Sequence, residues 1–113
     1  MSEATLQSDN GRAWLAGDLT FATVMTLANS MQTLSGNQGM PGQIDLDQVE
    51  RIDSAGLTLL LEWQSLFRKQ SGSDSLIEII NPPDALLKIA RLCDAEEFLT
   101  HRSPSRENNA SRD

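Results

Sequence analysis

The sequence predicts an α/β fold, a mixed sheet of four to five strands with helices packed mainly on one face. Three observations lead there. An Asn-Gly pair at Asn10-Gly11 separates two short apolar runs, the pattern of a tight hairpin. Segments of helical spacing then alternate with short strands, in the order hairpin, helix, strand, helix, strand, helix. The run Leu76-Ile77-Glu78-Ile79-Ile80 is branched and apolar, as strands lying inside a sheet are. A hairpin is antiparallel, whereas strands joined through helices are parallel, so the sheet is mixed.

Each element follows from its residues. Ala4 and Leu6 alternate with polar neighbours before the turn at Asp9-Asn10-Gly11, and residues 13–16 return as the second arm. Gly17-Asp18-Leu19-Thr20 breaks that strand. Residues 21–34 then read as a helix, with Phe21, Val24, Leu27, Ala28, Met31 and Leu34 on one side and Thr23, Thr26, Asn29, Ser30 and Thr33 on the other. Thr20 is placed to cap it. Residues 35–42, with three glycines and a proline, read as a loop. Gln43-Ile44-Asp45-Leu46-Asp47 has the period of a short strand, and Val49 and Ile52 carry apolar content up to Asp53-Ser54-Ala55-Gly56. A second helix covers residues 57–70 and closes at Ser71-Gly72-Ser73. After the strand at 76–80, Asn81-Pro82-Pro83 opens a helix over residues 84–93, with Leu86, Ile89, Ala90 and Cys93 as its inner stripe. A turn over 95–100 returns Phe98 and Leu99 to the core. Met25, Met31 and Trp14 are read as core residues. One domain is expected over residues 1–100, followed by a disordered tail at 101–113 that has no apolar run.

Composition excludes several kinds of chemistry. At 113 residues there is room for one compact domain. Nine Lys and Arg against sixteen Asp and Glu leave a formal charge of -7, with no excess of cations to meet a phosphate backbone, so nucleic-acid binding is not expected. The acidity is concentrated early: residues 1–50 hold six acids and one base, Arg12, against ten acids and eight bases in the remainder. One cysteine, Cys93, and one histidine, His101, supply neither a disulfide nor a Cys/His zinc site. Asp45, Asp47 and Asp53 lack further oxygen ligands and read as solvated acids, so no metal and no cofactor is expected. A Ser-His-Asp arrangement would need His101 from the tail, and Ser54 does not sit in a G-x-S-x-G elbow; an enzyme is not expected. The first residues carry no cationic and apolar leader, and no run approaches the ~18 apolar residues of a membrane span. The expected location is cytoplasmic, without direct membrane insertion.

The most informative segment is Ile52 to Trp63, IDSAGLTLLLEW, where a strand ends and a helix begins at Ser54. A helix start presents unpaired N–H groups and a positive dipole, which suit a capping hydroxyl or an added phosphate. As a cap alone, Ser54 contributes ~1 kcal/mol, and that is the plainer reading of the residue. Gly56 in the first turn leaves space for another backbone or a partner. Ala55, Leu59, Leu60, Trp63, Leu66 and Phe67 form the broad face directed at the core. Leu57 and Leu61 fall on the far side, among Thr58, Gln64, Ser65 and Arg68, and share it with Ser54. That gives a small apolar patch with a polar rim, as binding surfaces have. The expected partner site is therefore Asp53, Ser54, Ala55, Gly56, Leu57, Thr58 and Leu61.

From Ala4 to Leu99 the chain resembles the STAS domain family. The resemblance is carried by the Gly17-Asp18-Leu19 turn, the Asp53-Ser54-Ala55-Gly56-Leu57 junction, the strand at 76–80 and a last helix of the form Leu87-Lys88-Ile89-Ala90-Arg91-Leu92. That family includes anti-sigma factor antagonists, domains of sulfate-type anion transporters, and MlaB-type subunits of bacterial phospholipid ABC transporters. Ala55 in place of a second serine, the Leu59-Leu60-Leu61 run and the Phe67-Arg68-Lys69-Gln70 helix end look most like the MlaB type. The resemblance implies a non-catalytic subunit that binds an MlaF-like ABC transporter ATPase and is peripheral to the inner membrane through it. Its alternative is an antagonist whose Ser54 is phosphorylated by an anti-sigma factor kinase. Family members commonly carry Asp after the Gly-acid-Leu turn, and here that position is Thr20. The missing acid weighs against a phosphorylation switch and leaves docking untouched.

Overall fold

The computed structural model describes residues 3–72 and 75–99. The tail expected at 101–113 lies outside the described residues. The elements in chain order are β1 (Ala4–Asp9), β2 (Arg12–Leu19), α1 (Val24–Gln38), β3 (Gln43–Ile52), α2 (Ser54–Ser71), β4 (Glu78–Ile80), α3 (Asp84–Leu92) and a 3-10 turn at Glu96–Leu99. The strands form one four-stranded sheet in the order β1-β2-β3-β4. β1 and β2 are antiparallel, from Ala4 opposite Gly17 to Asp9 opposite Arg12, and the connecting Asn10 and Gly11 both have positive φ, 53° and 80°. That is the backbone an Asn-Gly turn supplies with little strain. β2–β3 and β3–β4 are parallel.

Because the parallel strands are added in sequence order, right-handed crossovers put their connecting helices on the same face. Burial follows from this: Ala13, Leu15, Ile44, Leu46, Ile77 and Ile79 are sealed beneath the helices. Residues between them point to the other face, where Trp14 is half-buried and its indole N–H donates to Gln7 Oε1 at 2.8 Å. On that face Asp45 accepts from Arg12 (2.7 Å) and from the Asn81 side chain (3.1 Å). It is thus an ion-paired residue and not a solvated one, and Trp14 packs outside the core.

Several boundaries differ from the sequence expectation. The first helix starts at Val24, and Thr20 does not cap it. Instead the Thr23 hydroxyl accepts the Thr20 N–H (3.1 Å) and lies 2.7 Å from the Asp18 carbonyl, to which it donates, closing a turn before the helix. The helix also runs through Ser35 and Gly36 and stops at Gly39, whose N–H reaches the Ser35 carbonyl at 2.9 Å. One interior glycine costs a helix only ~1 kcal/mol, too little to end it. The delayed start takes Phe21 off the helix, and Phe21 and Met25 stand 81% and 72% exposed. β2 continues past Gly17 through a bulge to Leu19, β3 extends to Ile52, and β4 is shorter than expected. Cys93 ends α3 exposed, outside the inner stripe. Leu99 is buried as expected.

Candidate functional site

β2 and β3 end side by side, Leu19 opposite Ile52, and the Asp53 N–H donates to the Leu19 carbonyl at 3.3 Å. The chain then turns directly into α2. The cap is Asp53 and not Ser54. Asp53 is extended (φ −135°, ψ −173°), and its Oδ1 accepts the Gly56 N–H at 3.1 Å. Its Oδ2 accepts the Phe21 N–H at 3.0 Å. One carboxylate therefore fastens the turn entering α1 to the first turn of α2. With the acid one position earlier in the capping place, Ser54 becomes the first helical residue. Its hydroxyl is exposed and makes no hydrogen bond to another described residue. Thr58 is exposed too, but its hydroxyl donates back to the Ser54 carbonyl at 3.0 Å. Ala55 is half-buried.

Gly56 is buried because α2 starts pressed against the end of β2. A Cβ there would meet the Leu19 carbonyl oxygen and lie 2.8 Å from Leu19 Cγ. The glycine serves close packing of this chain on itself, its free space being taken up by Leu19 and Ile52.

Leu57 and Leu61 do not form the expected exposed patch. Leu57 is 2% exposed and belongs to the core, and Leu61 packs partly buried against it. A single buried arc describes a helix resting on one wall, but α2 touches β3 below, α1 on one flank and α3 on the other. The flank toward α3 buries Gln64 as well. Its amide donates to the Ile77 and Phe98 carbonyls at 3.0 and 2.8 Å, and its Oε1 accepts the Ile77 N–H. Conversely Leu66, expected in the core, is 38% exposed on the flank toward α1.

The surface beside Ser54 is apolar after all, through other residues. Phe21, tied to Asp53 through its backbone, and Met25, one helical turn on, project from the turn and first residues of α1. Helical spacing puts Phe21 on the core side because it carries the helix back across the turn that Thr23 closes, whereas Met25 is read as core from its residue type although it lies off the Val24-Leu27-Met31 stripe. The legible signal was the Gly17-Asp18-Leu19-Thr20 break immediately before Phe21. Chemically the site offers a hydroxyl at a helix start, where N–H groups favour an added anion, next to the residue that holds the exposed Phe21, with the exposed Met25 four positions on. Among the described residues no group of three His, Cys, Asp or Glu is placed to hold a metal, and no helix is long and apolar enough to cross a membrane.

Comparison with known proteins gives the fold a family. A family model described as "Mlab, STAS domain" matches residues 4–100. Among solved structures, the anti-sigma factor antagonist SpoIIAA in its unphosphorylated form is 15% identical with a TM-score of 0.64, covering 90% of each chain. An anti-sigma factor antagonist from Mycobacterium paratuberculosis is 16% identical with a TM-score of 0.65, covering 88% of this chain and 84% of that one. The Bacillus cell fate determinant SpoIIAA in the phosphorylated form is 15% identical with a TM-score of 0.59, covering 90% and 93%. No curated protein matches the sequence.

Proposed function

The chain belongs to the MlaB-type STAS domain family, and we propose that it is a non-catalytic docking subunit of a phospholipid-trafficking ABC transporter. It binds the transporter's cytoplasmic ATPase and supports that ATPase's assembly or activity, in the upkeep of outer-membrane lipid asymmetry. It reaches the inner membrane only through this partner. The observation that carries the reading is the exposure of Phe21 and Met25 around the Asp53-Ser54 junction. Aromatic and methionine side chains are enriched in the cores of protein interfaces, and a few such anchors supply most of the binding energy. The test is co-purification of the ATPase with Phe21→Asp/Met25→Asp. Loss of the ATPase from a variant with unchanged circular dichroism and thermal midpoint is the expected result; full retention rejects the surface.

A second reading, an anti-sigma factor antagonist, is favoured by one observation, the exposed Ser54 hydroxyl at the first residue of α2. A phosphate there carries about −1.5 to −2 charges and would rebuild the surface that Phe21 and Met25 share. Under this reading Ser54→Asp releases a kinase partner that Ser54→Ala retains. Equal binding by the two variants removes it.

A further inference from the structure

We propose that the groove between α1 and α2 receives an amphipathic helix of a protein partner, with one Lys or Arg beside its apolar stripe. This goes beyond the docking reading above and stands or falls without it, because it concerns the outer helical layer and not the strand ends.

The first observation is one of charge. No charged residue occurs between Asp18 and Asp45, so the whole of α1 is neutral in a chain of net charge -7. Surface helices ordinarily set charged side chains on their outer face, whereas interface centres are depleted of them. The second is shape. A cavity of about 370 Å³ opens between the helices, floored by Met31, Leu59 and Trp63 and walled by Met40 and the half-open Leu66. The partly exposed Met40 is flexible enough to adapt to an incoming apolar side chain over the rigid floor that Trp63 supplies.

Dimensions and charge select the occupant. The walls run from Ala28 to Ser35 on α1 and from Leu59 to Gln70 on α2. At 1.5 Å per residue these are about 10 and 16 Å, matching the ~10 Å between positions i and i+7 of a helix. An extended strand has nothing to pair with here, since the backbone groups of α1 and α2 are satisfied internally and the Met40 N–H donates to Gln70 Oε1 at 3.3 Å. Among the described residues Glu62 is the one charged residue lining the groove, so a cation beside the partner's apolar stripe completes it. A second copy of this chain related by a two-fold axis would instead bring Glu62 toward its own counterpart, with a net charge of -7 on each side.

The test uses Trp63 as reporter. Trp14→Phe leaves it the sole tryptophan, and the probe is a synthetic Leu/Ala amphipathic helix of about five turns, carrying one Lys beside its stripe, or Glu in the matched control. The expected result is a saturable change in Trp63 emission with the Lys peptide, weakened about tenfold by Leu66→Glu. Glu62→Lys reverses the preference between Lys and Glu peptides, by about threefold. Circular dichroism verifies that both variants are folded. Absence of a saturable change, or equal binding to Leu66→Glu, overturns the proposal. So does a peptide-free dimer in sedimentation that Leu66→Glu dissociates, because the occupant is then a second copy.

Discussion

The Asp53 carboxylate accepts the backbone N–H of Phe21 at 3.0 Å, from a residue 32 positions earlier, while its other oxygen caps α2. The exposed apolar side chain beside Ser54 is therefore held by the residue that begins Ser54's helix. Asp53→Ala removes both bonds and should lower stability by about 2 kcal/mol, from a lost cap and a lost charge-assisted hydrogen bond. Asp53→Asn retains one acceptor oxygen and should lose about half of that. Urea denaturation midpoints of the two variants check the order, and equal midpoints would break the link between the turns.

At Gly56, helix propensity and packing disagree. Alanine is better than glycine inside a helix by up to about 1 kcal/mol, but its Cβ would meet the Leu19 carbonyl oxygen. A clash with backbone has no flexible end to give way, so Gly56→Ala should destabilise by about 2 kcal/mol net or more. A raised thermal midpoint for this variant would show that α2 can lift from β2.

Gln64 joins the entry to β4 and the last 3-10 turn to α2 through three hydrogen bonds. Gln64→Leu preserves bulk and leaves the Ile77 N–H and two carbonyls without it, an expected cost of about 2 to 4 kcal/mol. Gln64→Glu should be no better, since it places a second acceptor against those carbonyls. Faster hydrogen exchange at the Ile77 amide would accompany the loss, and unchanged exchange would contradict it.

Burial of Asp45 alone would raise its pKa, but the Asn81 amide, the Asp47 N–H and the Arg12 guanidinium outweigh it and hold the carboxyl below its ordinary 3.8. A depressed folded value means that the stabilisation is present above 3.8 and is lost as pH falls through the lower folded value. Asp45→Asn should flatten the stability profile in that acid range, measured by denaturation at successive pH values. An unaltered acid limb would assign it to other carboxylates.

Leu57 and the pair Phe21 and Met25 should behave oppositely. Leu57→Asp introduces a charge into a core position 2% exposed and should prevent folding. Phe21→Asp and Met25→Asp alter side chains already in solvent and should keep the stability within about 0.5 kcal/mol of wild type. Melting curves of the three variants separate core from surface without any partner.

Much of this molecule was legible in its residues. The Asn10-Gly11 hairpin, the alternation of strands and helices, and the junction at Asp53 follow from turn chemistry and periodicity, which act over a few residues. The same local signals carried the family resemblance that residues 4–100 bear out. The assignments that failed share a cause. Ser54 was given the cap because a hydroxyl and a carboxylate one residue apart are both good caps, and the choice depends on where β3 ends. Gln64 was placed in solvent because its partners are backbone groups of Ile77 and Phe98, 13 and 34 residues away.

By itself, then, the sequence determined which segments are strands and helices, their order, and the polar junction where a partner surface would be sought. The tertiary structure decided what that surface is made of. A helical wheel assumes one buried side, whereas α2 is walled by the sheet and by a helix on each flank, so Leu57 and Gln64 go inside. The turn closed by Thr23 starts α1 late and leaves Phe21 outside, and Met25 in the first turn of α1 finds nothing to cover it, because burial depends on neighbours brought together only by the fold.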